Sequence, residues 1–195
     1  MAEDQSYPRV KKFFFLFIFI LSFSKANSEN FKFVKIANLN NPWGSSFLNN
    51  DEMIITEKGG LIKIVNIINN QVNDVEHNLN FLEDGQGGLL DILHQENKVW
   101  ISYTENRGNR KTSTSIALAN LDKKNLVFKN IFQANPPINS GYHFGSRLAI
   151  KDNYLYASAG ERGKGMIAQD ASKHPGSIIR IHLDGSIPND NPKFD

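Results

Sequence analysis

An all-β chain, a sandwich or a propeller, is expected here on three observations. Short apolar runs rich in Val, Ile, Tyr, Phe and Thr recur along the chain, bounded by Asn, Asp, Gly or Pro. Three pairs of these runs are joined by tight polar connections that fit hairpins. No long stretch carries the 3.6-residue apolar period of a helix.

The elements follow in order. FKFVKIA (31–37) alternates apolar and basic residues, as a half-buried strand does. EMIITE (52–57) and LIKIVN (61–66) flank KGG, where glycine supplies the positive φ of a hairpin. GLLDILH (88–94) and KVWISYT (98–104) are split by QEN, and TSIALANL (114–121) and LVFKNIF (126–132) by DKKN. RLAI (147–150), YLYASA (154–159) and SIIRIHL (177–183) complete the set. NNDEMIITEKGGLIKIVN and KDNYLYASAGERG share a turn–strand–glycine rhythm, a weak internal repeat of the kind propeller blades leave. At ~40–45 residues per blade, residues 27–195 have room for about four blades at most. The turn-rich ending IPNDNPKFD lacks a closing element, so a truncated piece of a longer protein is expected.

Residues 1–28 stand apart. Arg9, Lys11 and Lys12 precede the apolar run FFFLFIFILSFS (13–24), and the small residues of SKA and ANS follow at cleavage spacing. That is the pattern of a secretory signal peptide, which would deliver the domain 29–195 to a periplasm or the exterior. The run is shorter than the ~20 residues of a spanning helix, so no stable membrane insertion is expected after cleavage; an uncleaved anchor is the alternative. Arg9, Lys11, Lys12 and Lys25 against Glu3 and Asp4 account for the whole net charge of +2. The remainder is formally neutral and has no basic stripe, which argues against a nucleic-acid partner. The chain has no cysteine, which excludes disulfides, thiolate metal sites and a cysteine nucleophile.

Four stretches have a spacing that strand structure does not explain. In NPWGSSFL (41–48), Pro42, Trp43 and Gly44 read as a turn with Trp43 as a core plug. In EDGQGGLLDILH (83–94), three glycines surround Gln86. Glycines permit close backbone approach and glutamine both donates and accepts, although spacing alone favours a plain glycine-rich loop. In GYHFGSRLAIKDNYLYASAGERG (141–163), His143 lies between Gly141 and Gly145, and Glu161 follows one strand pair later. A neutral imidazole is suited to accept a proton near neutral pH when a partner holds its other nitrogen. Glu161 is the candidate partner, while spacing alone leaves a structural or exposed histidine as the commoner reading. In AQDASKHPGSIIRIHLDGSIPNDNP (168–192), Asp170, Asp184 and Asp190 do not follow an EF-hand pattern and read as solvated turn aspartates. The chain contains no GxSxG, P-loop, HExxH or dinucleotide glycine motif.

Taken in order, PWGSSFL, EMIITEKGGLIKIV, GQGGLLDI, HFGSRL, ASAGERG and AQDASKHPGSIIRIHLDGSIPNDNP resemble the glucose/sorbosone dehydrogenase family, its aldose sugar dehydrogenase branch above all. The resemblance covers nearly all of residues 31–195. It implies a six-bladed β-propeller, of which this chain would be an incomplete N-terminal part of about three to four blades. It implies pyrroloquinoline quinone (PQQ) at one end of the central channel, with calcium on the quinone. The activity implied is oxidation of the anomeric carbon of an aldose sugar to a lactone, with electrons passed on to an external acceptor.

By the same resemblance, His143 matches the general base and Gln86 the glutamine at the substrate and quinone site. Glu161 stands where the family commonly has an aspartate that orients the histidine. Tyr142 stands where glucose dehydrogenases carry a sugar-contacting aspartate, a departure that bears on glucose specificity. The base would take the anomeric proton while the C1 hydride passes to the quinone, polarised by calcium. The family's calcium and quinone ligands lie beyond residue 195, so no metal ligand is expected within this chain, and the chain alone is expected to be inactive. Two other readings stand beside this one. A propeller can bind a carbohydrate or protein partner without redox chemistry, since fold does not fix function. A lactonase-type propeller would need several channel-facing acidic or asparagine metal ligands.

Overall fold

The computed structural model describes residues 31–193. The leader read over residues 1–28 lies outside them. The first sheet is an antiparallel meander of β1 (Pro42–Phe47), β2 (Glu52–Glu57), β3 (Leu61–Asn66) and β4 (Val72–His77). The second begins with β5 (Leu89–Gln95), β6 (Lys98–Asn106) and β7 (Thr112–Asn120). The chain then runs back to the first sheet, where the short β8 (Asn125–Leu126) pairs in parallel with β4. It returns as β9 (Lys129–Gln133) beside β7. The third sheet is β10 (Gly145–Lys151), β11 (Tyr154–Ala159) and β12 (Ser177–His182).

The period of two along β6 explains how the sheets stack. Val99, Ile101 and Tyr103 point to one face and meet Ile54, Ile62 and Ile64 of the first sheet. Trp100 lies on the opposite face, where with Ile116 it packs on Leu148, Leu155, Ile179 and Ile181 of the third. Both faces of the second sheet are therefore covered by apolar side chains. The indole of Trp100 stays satisfied by donating to the carbonyl of Leu183 at 2.9 Å.

A repeated polar device links the strand that opens each sheet to the next sheet. β1, β5 and β10 each carry a register irregularity near their start, which leaves an amide off the ladder. A hydroxyl on the neighbouring strand accepts it. Gly44 N–H donates to Thr56 Oγ1 at 3.0 Å, Asp91 N–H to Ser102 Oγ at 3.0 Å, and Arg147 N–H to Ser158 Oγ at 3.1 Å. Thr56 Oγ1 then donates to the Leu90 carbonyl at 2.5 Å, and Ser102 Oγ to the Ser146 carbonyl at 2.6 Å. Each of these two hydroxyls spans from its own sheet to the opening strand of the next. Asp91 adds a third tie, because its buried carboxylate accepts from the Leu148 amide and the Arg147 guanidinium, both at 2.8 Å.

Several sequence expectations need correction. FKFVKIA forms no strand, and Phe33 is 97% exposed. Alternation gives that segment an apolar face but not the ladder partner a strand requires. Trp43 is not a core plug, being 45% exposed. The irregularity between Pro42 and Gly44 turns it outward, and Gly44 takes the tight place against Asp91. PWGSSF is itself a strand, and VNDVEH, polar apart from Val72 and Val75, is another that patterning did not reveal. LVFKNIF breaks in two because its halves serve different sheets. Among the described residues, no helix is long and apolar enough to cross a membrane.

Candidate functional site

Four connections meet at one rim of the stacked sheets: the turn after β2, the glycine loop before β5, the loop before β10 and the turn after β11. The Lys58 carbonyl accepts the Leu89 amide at 3.0 Å, and the Gly141 carbonyl accepts the Gln86 amide at 2.8 Å. The glycine loop is thereby fixed from both sides. Gly85 has φ +57, and a Cβ there would run into the Gly141 carbonyl. Lys58 ties the loop further, donating to the Gly85 carbonyl at 2.9 Å and pairing with Glu83 at 3.1 Å.

All four residues singled out in the sequence converge here. Gln86 Oε1 accepts the backbone N–H of His143 at 2.8 Å. With its oxygen engaged, the Gln86 amide presents its NH2 as the remaining donor. The imidazole Nδ1 of His143 bonds a carboxylate oxygen of Glu161. That oxygen also accepts the Gly163 amide at 3.1 Å. A carboxylate bonded to Nδ1 selects the tautomer with the proton on Nδ1 and leaves the Nε2 lone pair free. The His143 bond, chiefly, holds the Glu161 carboxyl below the usual glutamate range, so it is ionised at neutral pH. The His143 side chain remains 54% exposed. Tyr142 sets its ring edge-on to the imidazole, with centroids 6.2 Å apart, and is itself exposed.

Close approach makes this geometry possible. A Cβ on Gly160 would collide with the His143 carbonyl, so only glycine lets the two turns touch. His143 itself has φ +50, in the left-handed region that few side chains occupy.

Beneath this loop lies Arg162, which sequence reasoning did not single out. It is 2% exposed. Its Nε donates to the Tyr142 carbonyl at 3.0 Å. Nη1 donates to the Thr112 carbonyl at 3.2 Å, and Nη2 to Thr112 Oγ1 at 2.8 Å and to the Ser140 carbonyl. Its guanidinium lies 3.5 Å from the centroid of the buried Phe144 ring. Burial pushes its pKa down to about 10, which leaves it charged at neutral pH. In the sequence, an arginine between Glu161 and Gly163 carries no periodic signal and reads as an ordinary turn residue.

The acidic residues of 168–192 behave as turn aspartates. Asp184 accepts from the Ser186 amide and hydroxyl, Asp170 from Ser172, and Asp190 pairs with Arg180. Among the described residues, no group of three or more His, Asp or Glu side chains is placed to hold a metal ion.

A model of the family described as Glucose / Sorbosone dehydrogenase matches residues 39–195. The chain is 32% identical over 164 residues to the aldose sugar dehydrogenase YliI of Escherichia coli (strain K12), covering 79% of this chain and 44% of that protein. The solved apo-form of the soluble aldose sugar dehydrogenase from Escherichia coli aligns with a TM-score of 0.75 at 30% identity, over 79% of this chain and 47% of that one. The PQQ-bound form of an aldose sugar dehydrogenase from Streptomyces coelicolor aligns with a TM-score of 0.68 at 24% identity, over 80% and 48%, a likeness of fold. The chain thus spans a little under half the length of the curated relative and of these two solved chains.

Proposed function

The chain belongs to the glucose/sorbosone dehydrogenase family, its stacked sheets being blades of a β-propeller, and from that membership we propose that the protein oxidises the anomeric carbon of aldose sugars with PQQ as the oxidant. The observation that carries this reading is the state of one ring: His143 has its Nδ1 engaged by Glu161 and its Nε2 free, beside the Gln86 amide.

His143 Nε2 accepts the proton of the anomeric hydroxyl. Ionised Glu161 steadies the imidazolium that results and keeps the ring oriented while it is neutral. The NH2 of Gln86 suits the carbonyl oxygen of a quinone or a sugar hydroxyl, and Gln86 would hold the cofactor in that way. When bound, PQQ supplies the two-electron oxidation that no side chain provides. Tyr142 lies at the same rim and contacts the sugar. Calcium belongs to the proposal for the family site, but the acidic residues described here do not form a nest for it. The electrons pass on to an external acceptor. The signal-like sequence pattern of residues 1–28 is what favours export to a periplasm or the exterior, with 29–195 as the propeller portion.

The test is dye reduction by the full protein with a panel of aldoses, PQQ and calcium. His143→Gln should lower kcat by about 10²–10⁴-fold with little change in KM. Absence of turnover with every aldose, or an unimpaired His143→Gln enzyme, would falsify the reading.

A further inference from the structure

We propose that Arg162 is a positioning residue that fixes the His143 ring through the backbone beneath it. This rests on the base role given to His143 above, but its physical basis is separate. The peptide unit between Tyr142 and His143 is gripped at both ends. Its carbonyl oxygen accepts from Arg162 Nε at 3.0 Å, and its N–H donates to Gln86 Oε1 at 2.8 Å. The carbonyl of His143 in turn accepts the Arg162 backbone N–H at 3.3 Å. Glu161, the residue before Arg162, bonds the imidazole. One turn thus holds the ring with its carboxylate and the backbone with its guanidinium.

The guanidinium is unusual in its partners. Its four side-chain hydrogen bonds all end on carbonyl or hydroxyl oxygens, those of Ser140, Tyr142 and Thr112. A buried cation normally takes a carboxylate partner when stability alone is served; the charge of Asp84 reaches Arg162 through space, but no carboxylate bonds it. Here the fork is spent on the loop that carries His143 and on the first residue of β7, and Phe144 closes over it at 3.5 Å. A planar fork with donors in fixed directions can set three oxygen groups at once, which a lysine ammonium on a flexible stem does not do. The φ of +50 at His143 is the strained conformation that this grip maintains.

The experiment reads the ring, not turnover. Long-range 1H–15N spectra of the full protein distinguish an Nδ1–H histidine from an Nε2–H one. His77 serves as an internal control in the first sheet: its Nε2 faces the Gly60 carbonyl at 2.9 Å and its Nδ1 accepts the Leu79 amide at 3.2 Å. In the unaltered protein His143 should show a single Nδ1–H tautomer. Arg162→Gln should replace it with a mixed-tautomer signal while His77 keeps its own. Arg162→Lys, which retains the charge without the fork, should not restore the single tautomer, and it decides the question if Arg162→Gln fails to fold. A His143 signal unchanged in a folded variant, or His143 and His77 loosening together, overturns the inference. A protein that oxidises no aldose but loses the His143 tautomer in these variants would sink the reading of function and leave the inference standing.

Discussion

Glu161 gives the site one pH-dependent contact whose direction is fixed by its surroundings. Its folded pKa is depressed, so the interaction with His143 is fully present above the unfolded value near 4.5 and is lost as pH falls through the lower folded value. A carboxyl-carbon NMR titration of Glu161 should therefore give a midpoint below 4.5, and His143→Gln should move it back up. Gly160 makes a steric prediction. In Gly160→Ala the new methyl meets the His143 carbonyl carbon at 2.6 Å, which should cost about 1–3 kcal/mol in denaturant unfolding and displace the Gln86–His143 contact. What the residues disclosed in advance was chemical type. A lone histidine, a glutamine among glycines and a later glutamate, ordered by a family resemblance, pointed to residues that the fold brings together. Arg162 stayed hidden because its importance lies in carbonyl groups, which no sequence position advertises.

At the level of elements, strands were legible where both alternation and a turn signal were present. EMIITE and LIKIVN fall on β2 and β3 residue for residue, with KGG turning the hairpin. The weak repeat also has a structural meaning. EMIITE and YLYASA are β2 and β11, the second strands of their sheets, and KGG and GERG both leave at the rim that carries the site. β4 was illegible because its neighbours in the ladder, not its own apolar content, hold VNDVEH in place. The hydroxyls Thr56, Ser102 and Ser158 mark the repeat better than the apolar residues do, but they are unevenly spaced and two of them are serines, which favour turns elsewhere. The tie between second and third sheets is open to test. Asp91→Ala leaves the Leu148 amide unpaired in the interior and should cost about 1–3 kcal/mol, read from the urea midpoint at unchanged m-value.

Across the whole molecule the sequence conveyed the class of fold but not the stacking, since periodicity gives each strand a face without saying which sheet will cover it. The second sheet is covered on both sides, and the third contributes Leu155, fully buried, to the seam between them. Leu155→Ala should lower stability by about 2–5 kcal/mol in equilibrium unfolding. The site bridges that same seam, for Gln86 precedes the second sheet while His143 and Glu161 belong to loops of the third. The amide proton of His143, donated across the gap, is consequently a gauge of how often the loop contact over that seam opens. Its deuterium uptake should outpace that of Ile101 in the middle of the second sheet, and warming should loosen the Gln86–His143 contact several degrees before the far-ultraviolet dichroism of the strands begins to fall.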